Sequence, residues 1–166
     1  MQQPPPVATL LRQLQTFPQW LSRQLATPGI DWHCAPAEGE WCLTEVMCHL
    51  RDVEREVHQP RFQAVLARDG AFLSGAVADE WVEERAYHLQ DGPTALHMFL
   101  AARTDTISLL PESVSDHWQR HGQHAFFGPT SLHELLNLAV QHDLAHREQV
   151  EALLQAQASG RGEEAF

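Results

Sequence analysis

Apolar residues recur every three or four positions along most of the chain, the spacing that gathers them on one face of an α-helix. No run of alternating β-branched and polar residues is long enough to indicate a convincing strand. Pairs that favour turns, such as Pro28-Gly29 and Asp69-Gly70, separate the periodic segments. The pattern therefore predicts an all-α protein.

The first two predicted helices run from about Val7 to Ala26 and from about Trp41 to Arg68. Each contains a proline, Pro18 in the first and Pro60 in the second. Proline lacks the amide proton and crowds the preceding turn, so we expect a kink or a break at both positions. Thr44 or a residue just ahead of it is expected to cap the second helix.

The helix-start signal Asp91-Gly92-Pro93-Thr94 precedes the third predicted helix, which ends at Pro111. The fourth predicted helix runs from Ser131 to about Ala158. Ser131, followed three residues later by Glu134, has the spacing of a capping box. A short helix is expected from Trp81 to His88, after a connection rich in glycine and alanine.

Four amphipathic helices of this length indicate a four-helix bundle, with the short extra helix in the connection between helices two and three. We expect one domain over residues 1–158 and a flexible C-terminal tail over residues 159–166. The connection from Glu112 to Thr130 is long, and long ordered connections often carry function.

Composition and charge exclude several classes of protein. The 166 residues include 11 basic and 22 acidic side chains, and a net charge of -11 argues against a nucleic-acid partner. Three cysteines without a Cys-x-x-Cys spacing favour a reducing compartment, so we expect a cytoplasmic protein. Neither a signal peptide nor a membrane span is indicated, which argues against a membrane partner.

His142 and His146 are the strongest chemical signal in the sequence. A separation of four residues places two imidazoles one turn apart on the same face of the fourth helix. His146 falls inside the apolar stripe and His142 at its margin, so both should face inward, where a buried polar group needs a partner. A shared divalent metal is one such partner, and ordinary histidines of the core or its rim are the other interpretation.

A third ligand would have to come from another helix or a loop. His49 is the best candidate, because it lies at the edge of the apolar stripe of helix two, within Glu40-Trp41-Cys42-Leu43-Thr44-Glu45-Val46-Met47-Cys48-His49-Leu50-Arg51-Asp52. An edge position borders the core while still meeting solvent.

The order of three sequence patches resembles the DinB/YfiT-like superfamily of small metal-binding four-helix proteins. The first patch contains Glu40-Trp41, Glu45-Val46, His49-Leu50 and Asp52, and the second contains Phe99 and Arg103. The third contains Trp118, His124, Gly128 and Ser131-Leu132, and leads to His142-Asp143-Leu144-Ala145-His146-Arg147-Glu148-Gln149-Val150. The resemblance covers about Glu40 to Leu154.

The resemblance implies a three-histidine site formed by His49, His142 and His146. It would hold a divalent ion, zinc or nickel with manganese as a further possibility, and leave open positions for water or substrate. Three protein ligands with an open position are also typical of catalytic rather than structural zinc. Bundles of this kind commonly pair through apolar helix faces, so a homodimer is expected.

Candidates for acid or base catalysis are Asp52, Glu45 and His124, and the sequence does not choose among them. Asp52 can alternatively hydrogen-bond a ligand imidazole or lie on a solvated surface. His124 either lines the pocket or fixes Trp118 or the backbone. Asp143 lies in the apolar stripe, and we favour a structural ion pair with Arg103.

The relatives implied by this resemblance use their metal for thiol chemistry. A cation lowers the pKa of a coordinated thiol, so the leading hypothesis is thiol-dependent S-transfer with a small co-substrate like bacillithiol or mycothiol and an electrophilic substrate. A metal-dependent hydrolase on the same site is the first alternative. A non-catalytic stress-response or interaction protein, in which the metal is structural or incidental, is the second.

Overall fold

Four long helical segments dominate the computed structural model, which describes residues 4–163. In chain order the helices are α1 (Val7–Gln24), α2 (Leu43–Val53), α3 (Gln59–Ala67), α4 (Trp81–Glu84), α5 (Gly92–Leu109) and α6 (Leu132–Glu163). One turn of π-helix over Glu54–His58 (the π-turn) joins α2 to α3 without interruption, so these two form one long segment. The predicted four-helix bundle is confirmed, and α4 is the short extra helix of the connection between the second and third long segments.

The predicted all-α class is confirmed, and the structure adds a minor sheet that the sequence did not indicate. Three short strands, β1 (Ala71–Leu73), β2 (His121–His124) and β3 (Gly128–Ser131), form a sheet in the order β1-β2-β3. β1 pairs parallel with β2, and β2 pairs antiparallel with β3. Strands of three or four residues show too little alternation to be recognised, and this sheet depends on pairing two distant connections.

The two prolines and the end of α6 differ from their predicted effects on helix boundaries. α1 continues through Pro18 without the predicted break, and the long segment of α2 and α3 likewise continues through Pro60, which lies just after the wider turn over Glu54–His58. Beyond the expected end at Ala158, α6 continues to Glu163, and residues 164–166 of the predicted tail lie outside the described range.

Capping contacts explain where the long helices begin. Before α6, the predicted capping box is present, since the N–H of Glu134 donates to Ser131 Oγ at 3.1 Å and Glu134 Oε2 accepts from the N–H of Ser131 at 2.7 Å. Asp91 caps α5 by accepting from the N–H of Thr94 at 2.8 Å. The helix starts are therefore determined by sequence signals that lie at the predicted ends.

Two clusters of buried apolar side chains form the core. One joins α1, α2, α5 and α6, and its largest members are Phe17, Leu21, Leu43, Met47, Leu50, Tyr87 and Phe99. The other joins α1, α3, α6 and the sheet, and its largest members are Leu10, Leu14, Phe62, Leu73, Trp118 and Leu136. Within residues 4–163, no helix has both the length and the apolar character needed to cross a bilayer.

A buried ion cluster ties α5 to α6 and to the π-turn. Arg103, 1% exposed, donates to both carboxylate oxygens of Asp143 at 2.6 and 2.9 Å, and to Glu54 Oε2 at 2.9 Å. Burial alone would lower the pKa of Arg103, but the two carboxylates outweigh it and raise that pKa. The structure thus contains the Arg103–Asp143 pair favoured from the sequence and adds Glu54 to it.

Candidate metal centre

Three imidazoles converge where α2 faces the middle of α6. His142 and His146 lie one turn apart on α6, and His49 approaches them from α2. The Nε2 atom of His142 lies 3.0 Å from Nε2 of His49 and 3.1 Å from Nε2 of His146. One ligand nitrogen from each residue lies within 4.8 Å of the other two. A single divalent ion with nitrogen bonds of about 2 Å fits such a group of donors.

Hydrogen bonding within this triad cannot satisfy all its nitrogens. A neutral imidazole carries one N–H, so one proton on His142 Nε2 can serve only one of its two neighbours at a time. The Nδ1 atoms of His49 and His142 are buried and have no hydrogen-bond partner among the described residues. Hydrogen bonds among the three converging Nε2 atoms therefore cannot satisfy all of them, whereas one metal ion between them would accept an electron pair from each.

Burial keeps the three imidazoles neutral at ordinary pH. Loss of solvent, with a smaller contribution from His146, lowers the pKa of His49 to about 4. Loss of solvent also lowers the pKa of His142 and of His146 below their usual range. Metal ligation requires the neutral form, so the environment prepares these side chains as ligands.

Two neighbours orient the triad. Gln149 Oε1 lies 2.8 Å from His146 Nδ1, and because the amide oxygen is an acceptor, Nδ1 is the nitrogen that carries the proton. Nε2 of His146 is then free to act as an electron-pair donor. Trp41 stacks on His146 with an interplanar angle of 12° and contacts His49 with ring centroids 5.0 Å apart. Rotation of both rings is therefore restricted.

A pocket of about 350 Å³ opens over His49 and His142. Besides these two, its polar and aromatic lining consists of His58, Arg61, Asp79, His124, Phe126 and Phe127. His58 and His124 are 8% and 4% exposed, and the Nε2 atom of each has no hydrogen-bond partner among the described residues. The triad therefore faces a space that is accessible to a small molecule.

Asp79 is the acidic side chain at the metal end of this pocket. It lies on a 3-10 turn over Ala78–Glu80, is 84% exposed, and brings Oδ1 to 4.0 Å from His49 Nε2. Its charge acts on both His49 and His146, since it opposes the lowering of their pKa values. A carboxylate at this position can accept a proton beside the triad.

Asp52, one of the predicted acid or base candidates, is engaged elsewhere. It accepts hydrogen bonds from Arg51 Nε at 2.6 Å, Arg85 Nη1 at 2.9 Å and the Tyr87 hydroxyl at 2.7 Å. Burial alone would raise the pKa of Asp52, but Arg51 and Tyr87 outweigh burial and lower it. It is neither on a solvated surface nor in the pocket lining, and it makes no hydrogen bond to a ligand imidazole.

The other two candidates differ in position. Glu45 caps α2, because its Oε2 accepts from the N–H of Cys42 at 2.8 Å, and it does not line the pocket. His124, the last residue of β2, lines the pocket and accepts the N–H of Phe126 at Nδ1 over 3.1 Å. Of the three candidates, the structure therefore places only His124 in the pocket that His49 and His142 line.

Phe126 and Phe127 form part of the pocket wall. They are 62% and 63% exposed, and Phe127 stacks on His124 with ring centroids 4.6 Å apart. Phe126 lies so close to Gly75 that a β-carbon there would collide with its ring. The pocket is thus closed on this side by an aromatic wall.

His58, Asp79, Arg61 and Gln149 are site residues that the sequence analysis did not identify. His58 follows His49 by nine residues. On a regular α-helix this spacing would place the two side chains about 180° apart, on opposite faces. The wider turn over Glu54–His58 changes that phase, and the sequence gives no signal for it. Gln149, three residues after His146, was detectable from helix spacing alone.

Comparisons with known proteins identify the fold and the family of the chain. The family model described as the DinB superfamily matches residues 5–150. A search of curated proteins gave no match. Among solved structures, YfiT from Bacillus subtilis, described as a probable metal-dependent hydrolase with an unusual four-helix bundle topology, is similar at a TM-score of 0.77. The two share 18% sequence identity over 91% of this chain and 87% of YfiT, which establishes a common fold. Because the family match spans most of its length, the chain belongs to the DinB superfamily.

Proposed function

We propose that the protein is a metal-dependent hydrolase whose divalent ion is held by His49, His142 and His146. The convergence of three Nε2 atoms beneath an open pocket carries this proposal. The description of the structurally similar YfiT as a probable metal-dependent hydrolase supports the reaction class. A set of three imidazoles suits zinc or nickel better than calcium or magnesium.

When bound, such an ion lowers the pKa of a coordinated water or thiol and polarises a substrate carbonyl or phosphoryl oxygen. The residues of the chain provide the rest of the chemistry. Asp79 Oδ1, 4.0 Å from His49 Nε2, accepts a proton at the metal end of the pocket. His124 and His58 line the pocket and offer polar ring atoms to a substrate. Phe126 and Phe127 limit access of bulk water from one side.

Thiol-dependent S-transfer, the leading hypothesis from the resemblance, stays a prediction. No cysteine is among the described residues that line the pocket, so the sulfur would have to arrive with a co-substrate. The homodimer stays a prediction as well. A non-catalytic role is opposed by the accessible side of the triad, because structural metal sites are closed by four protein ligands.

The first experiment measures metal content by mass spectrometry on protein purified without a polyhistidine tag and then incubated with zinc, nickel or manganese. Wild type should hold about one ion per chain. His142→Ala should lose it, whereas His97→Ala, which changes an exposed histidine on α5, should retain it. A folded wild type that takes up none of the three metals contradicts the proposal.

A second experiment tests the reaction with chromogenic esters, phosphoesters and amides. Asp79→Asn should lower kcat by about a hundredfold while leaving metal content unchanged, because it removes the proton acceptor and not a ligand. Glu80→Gln changes the adjacent exposed carboxylate and should leave kcat near the wild-type value. Metal-loaded protein that hydrolyses none of these compounds but transfers a thiol to an electrophile would favour S-transfer.

A further inference from the structure

Among the described residues, Arg61 and Arg120 are half-buried arginines without an ion pair, and of these two only Arg61 lines the pocket over the triad. Arg51, Arg85 and Arg103 each form ion pairs with one or two carboxylates. Arg61 is half-buried, yet it has no carboxylate partner among the described residues, although the chain carries 22 acidic side chains against 11 basic ones. The hydrogen bond recorded for its guanidinium goes from Nη2 to the carbonyl of Ser74 at 2.8 Å.

The environment of Arg61 is costly for an unpaired cation. Burial lowers its pKa below the usual range, and no neighbouring carboxylate opposes that effect. The carbonyl of Ser74 replaces only part of the hydration that a partly desolvated guanidinium loses. Arginine is also the side chain best suited to bind a carboxylate through two parallel N–H donors. A carboxylate from outside the chain would supply the partner that the described residues do not.

Arg61 lines the same pocket as His49 and His142. Its charge acts on His58 and His124, whereas the charge of Asp79 acts on His49 and His146. All these groups except His146 line the pocket. The pocket therefore combines a carboxylate beside the triad with a cation beside His58 and His124.

We propose that Arg61, flanked by His58 and His124, is the binding site for a carboxylate of the substrate, with the reacting group of that substrate held at the triad. The inference rests on the proposed function for the reacting end only. The single guanidinium matches one negative charge, which favours a monocarboxylate over a phosphate dianion. Phe126 and Phe127 favour an apolar or aromatic body between the two ends.

The test uses phenylacetate and its neutral analogue phenylacetamide as probes, titrated into metal-free and zinc-loaded protein and followed by amide chemical shifts. In both forms phenylacetate should bind at least tenfold more tightly than phenylacetamide and should shift the amides of residues 58–62 and 124–127. Arg61→Gln should abolish the preference for the charged probe. Arg55→Gln, which changes an exposed arginine of the same helical segment, should retain the preference.

Measuring the metal-free form separates this inference from the proposed function, because the carboxylate site needs no ion. Binding that occurs only with zinc and is unchanged in Arg61→Gln would place the anion on the metal and overturn the inference. Equal affinity for phenylacetate and phenylacetamide would also overturn it. Tighter binding of phenyl phosphate than of phenylacetate in the metal-free form would overturn the assignment to a carboxylate.

Discussion

Two buried polar clusters lie side by side in the bundle, and their buried polar groups find partners in different ways. Arg103 pairs with both Asp143 and Glu54 inside the protein, and in this cluster only Arg103 Nε and one oxygen of Glu54 lack a hydrogen bond. In the neighbouring triad, His142 Nε2 lies 3.0 Å from His49 Nε2 and 3.1 Å from His146 Nε2, and a single proton there can serve only one of the two. The first cluster pairs its charges within the chain, whereas the second gathers nitrogen donors whose arrangement fits a metal ion.

Arg103→Met should have the largest effect, because it leaves two carboxylates buried without their cation. We expect the free energy of unfolding to fall by about 3–5 kcal/mol, measured by urea denaturation of the metal-free protein. Asp143 is adjacent to His142, so the metal site should also lose affinity in this variant.

The matched control is Arg147→Met, which removes an arginine whose pair with Glu151 is exposed, at 47% and 43%. It should change stability by no more than about 1 kcal/mol. If Arg103→Met costs as little as Arg147→Met, the internal cluster does not hold α5 and α6 together as the comparison requires.

These two clusters also show how much a sequence can reveal. Helix spacing placed His142 and His146 on one face, and the Arg103–Asp143 pair followed from a carboxylate in an apolar stripe. His49 and the four-helix arrangement were likewise within reach of periodicity and resemblance. Local pattern was sufficient for each of these.

Other parts of the site depend on non-local or irregular structure. The π-turn that redirects His58 interrupts the regular helical spacing, and β2 brings His124 into place by pairing with β1, some fifty residues away. Asp79 approaches the triad from a connection without periodicity. No signal along the chain marks such contacts, because they arise only once the elements pack.

Acid should destabilise the metal-free protein through its buried imidazoles. Burial lowers the pKa of His58 to about 4, against about 6.5 in the unfolded chain. Between these two pH values the unfolded chain takes up a proton that the folded protein does not. The free energy of unfolding is therefore fully present above pH 6.5 and falls as the pH falls toward 4. We expect His58 to account for about 3 kcal/mol of the loss between pH 7 and pH 4, measured by urea denaturation at each pH.

His58→Gln should reduce that pH dependence, whereas His97→Gln, at an exposed position, should leave it unchanged. The comparison between variants cancels the opposite contribution of Asp143, whose pKa is raised by burial to about 6 despite Arg103. Equal slopes for wild type and His58→Gln would show that His58 is not held neutral in the folded state.

Zinc should stabilise the protein through the triad and not through the ion cluster. With free zinc at a hundred times its Kd, linkage predicts a gain of about 2.7 kcal/mol, seen as a rise in Tm. His142→Ala should lose this gain, and His97→Ala should keep it. An equal rise in Tm for His142→Ala would place the bound zinc at another position on the acidic surface.

Gln149→Leu should have the smallest effect. It tests how much the orientation of the His146 imidazole contributes to zinc affinity while all three ligands are kept. The amide oxygen of Gln149 holds the proton of His146 at Nδ1, 2.8 Å away, so its loss lets the imidazole rotate or change tautomer without removing a ligand. We expect zinc affinity to fall about tenfold, or about 1.4 kcal/mol, in competition with a chromophoric chelator, while the metal-free protein keeps its stability. Gln141→Leu, an exposed change on the same helix, is the control, and Gln149→Glu should restore affinity because a carboxylate accepts the same proton. If Gln149→Leu binds zinc as tightly as wild type, packing by Trp41 alone is sufficient to orient His146.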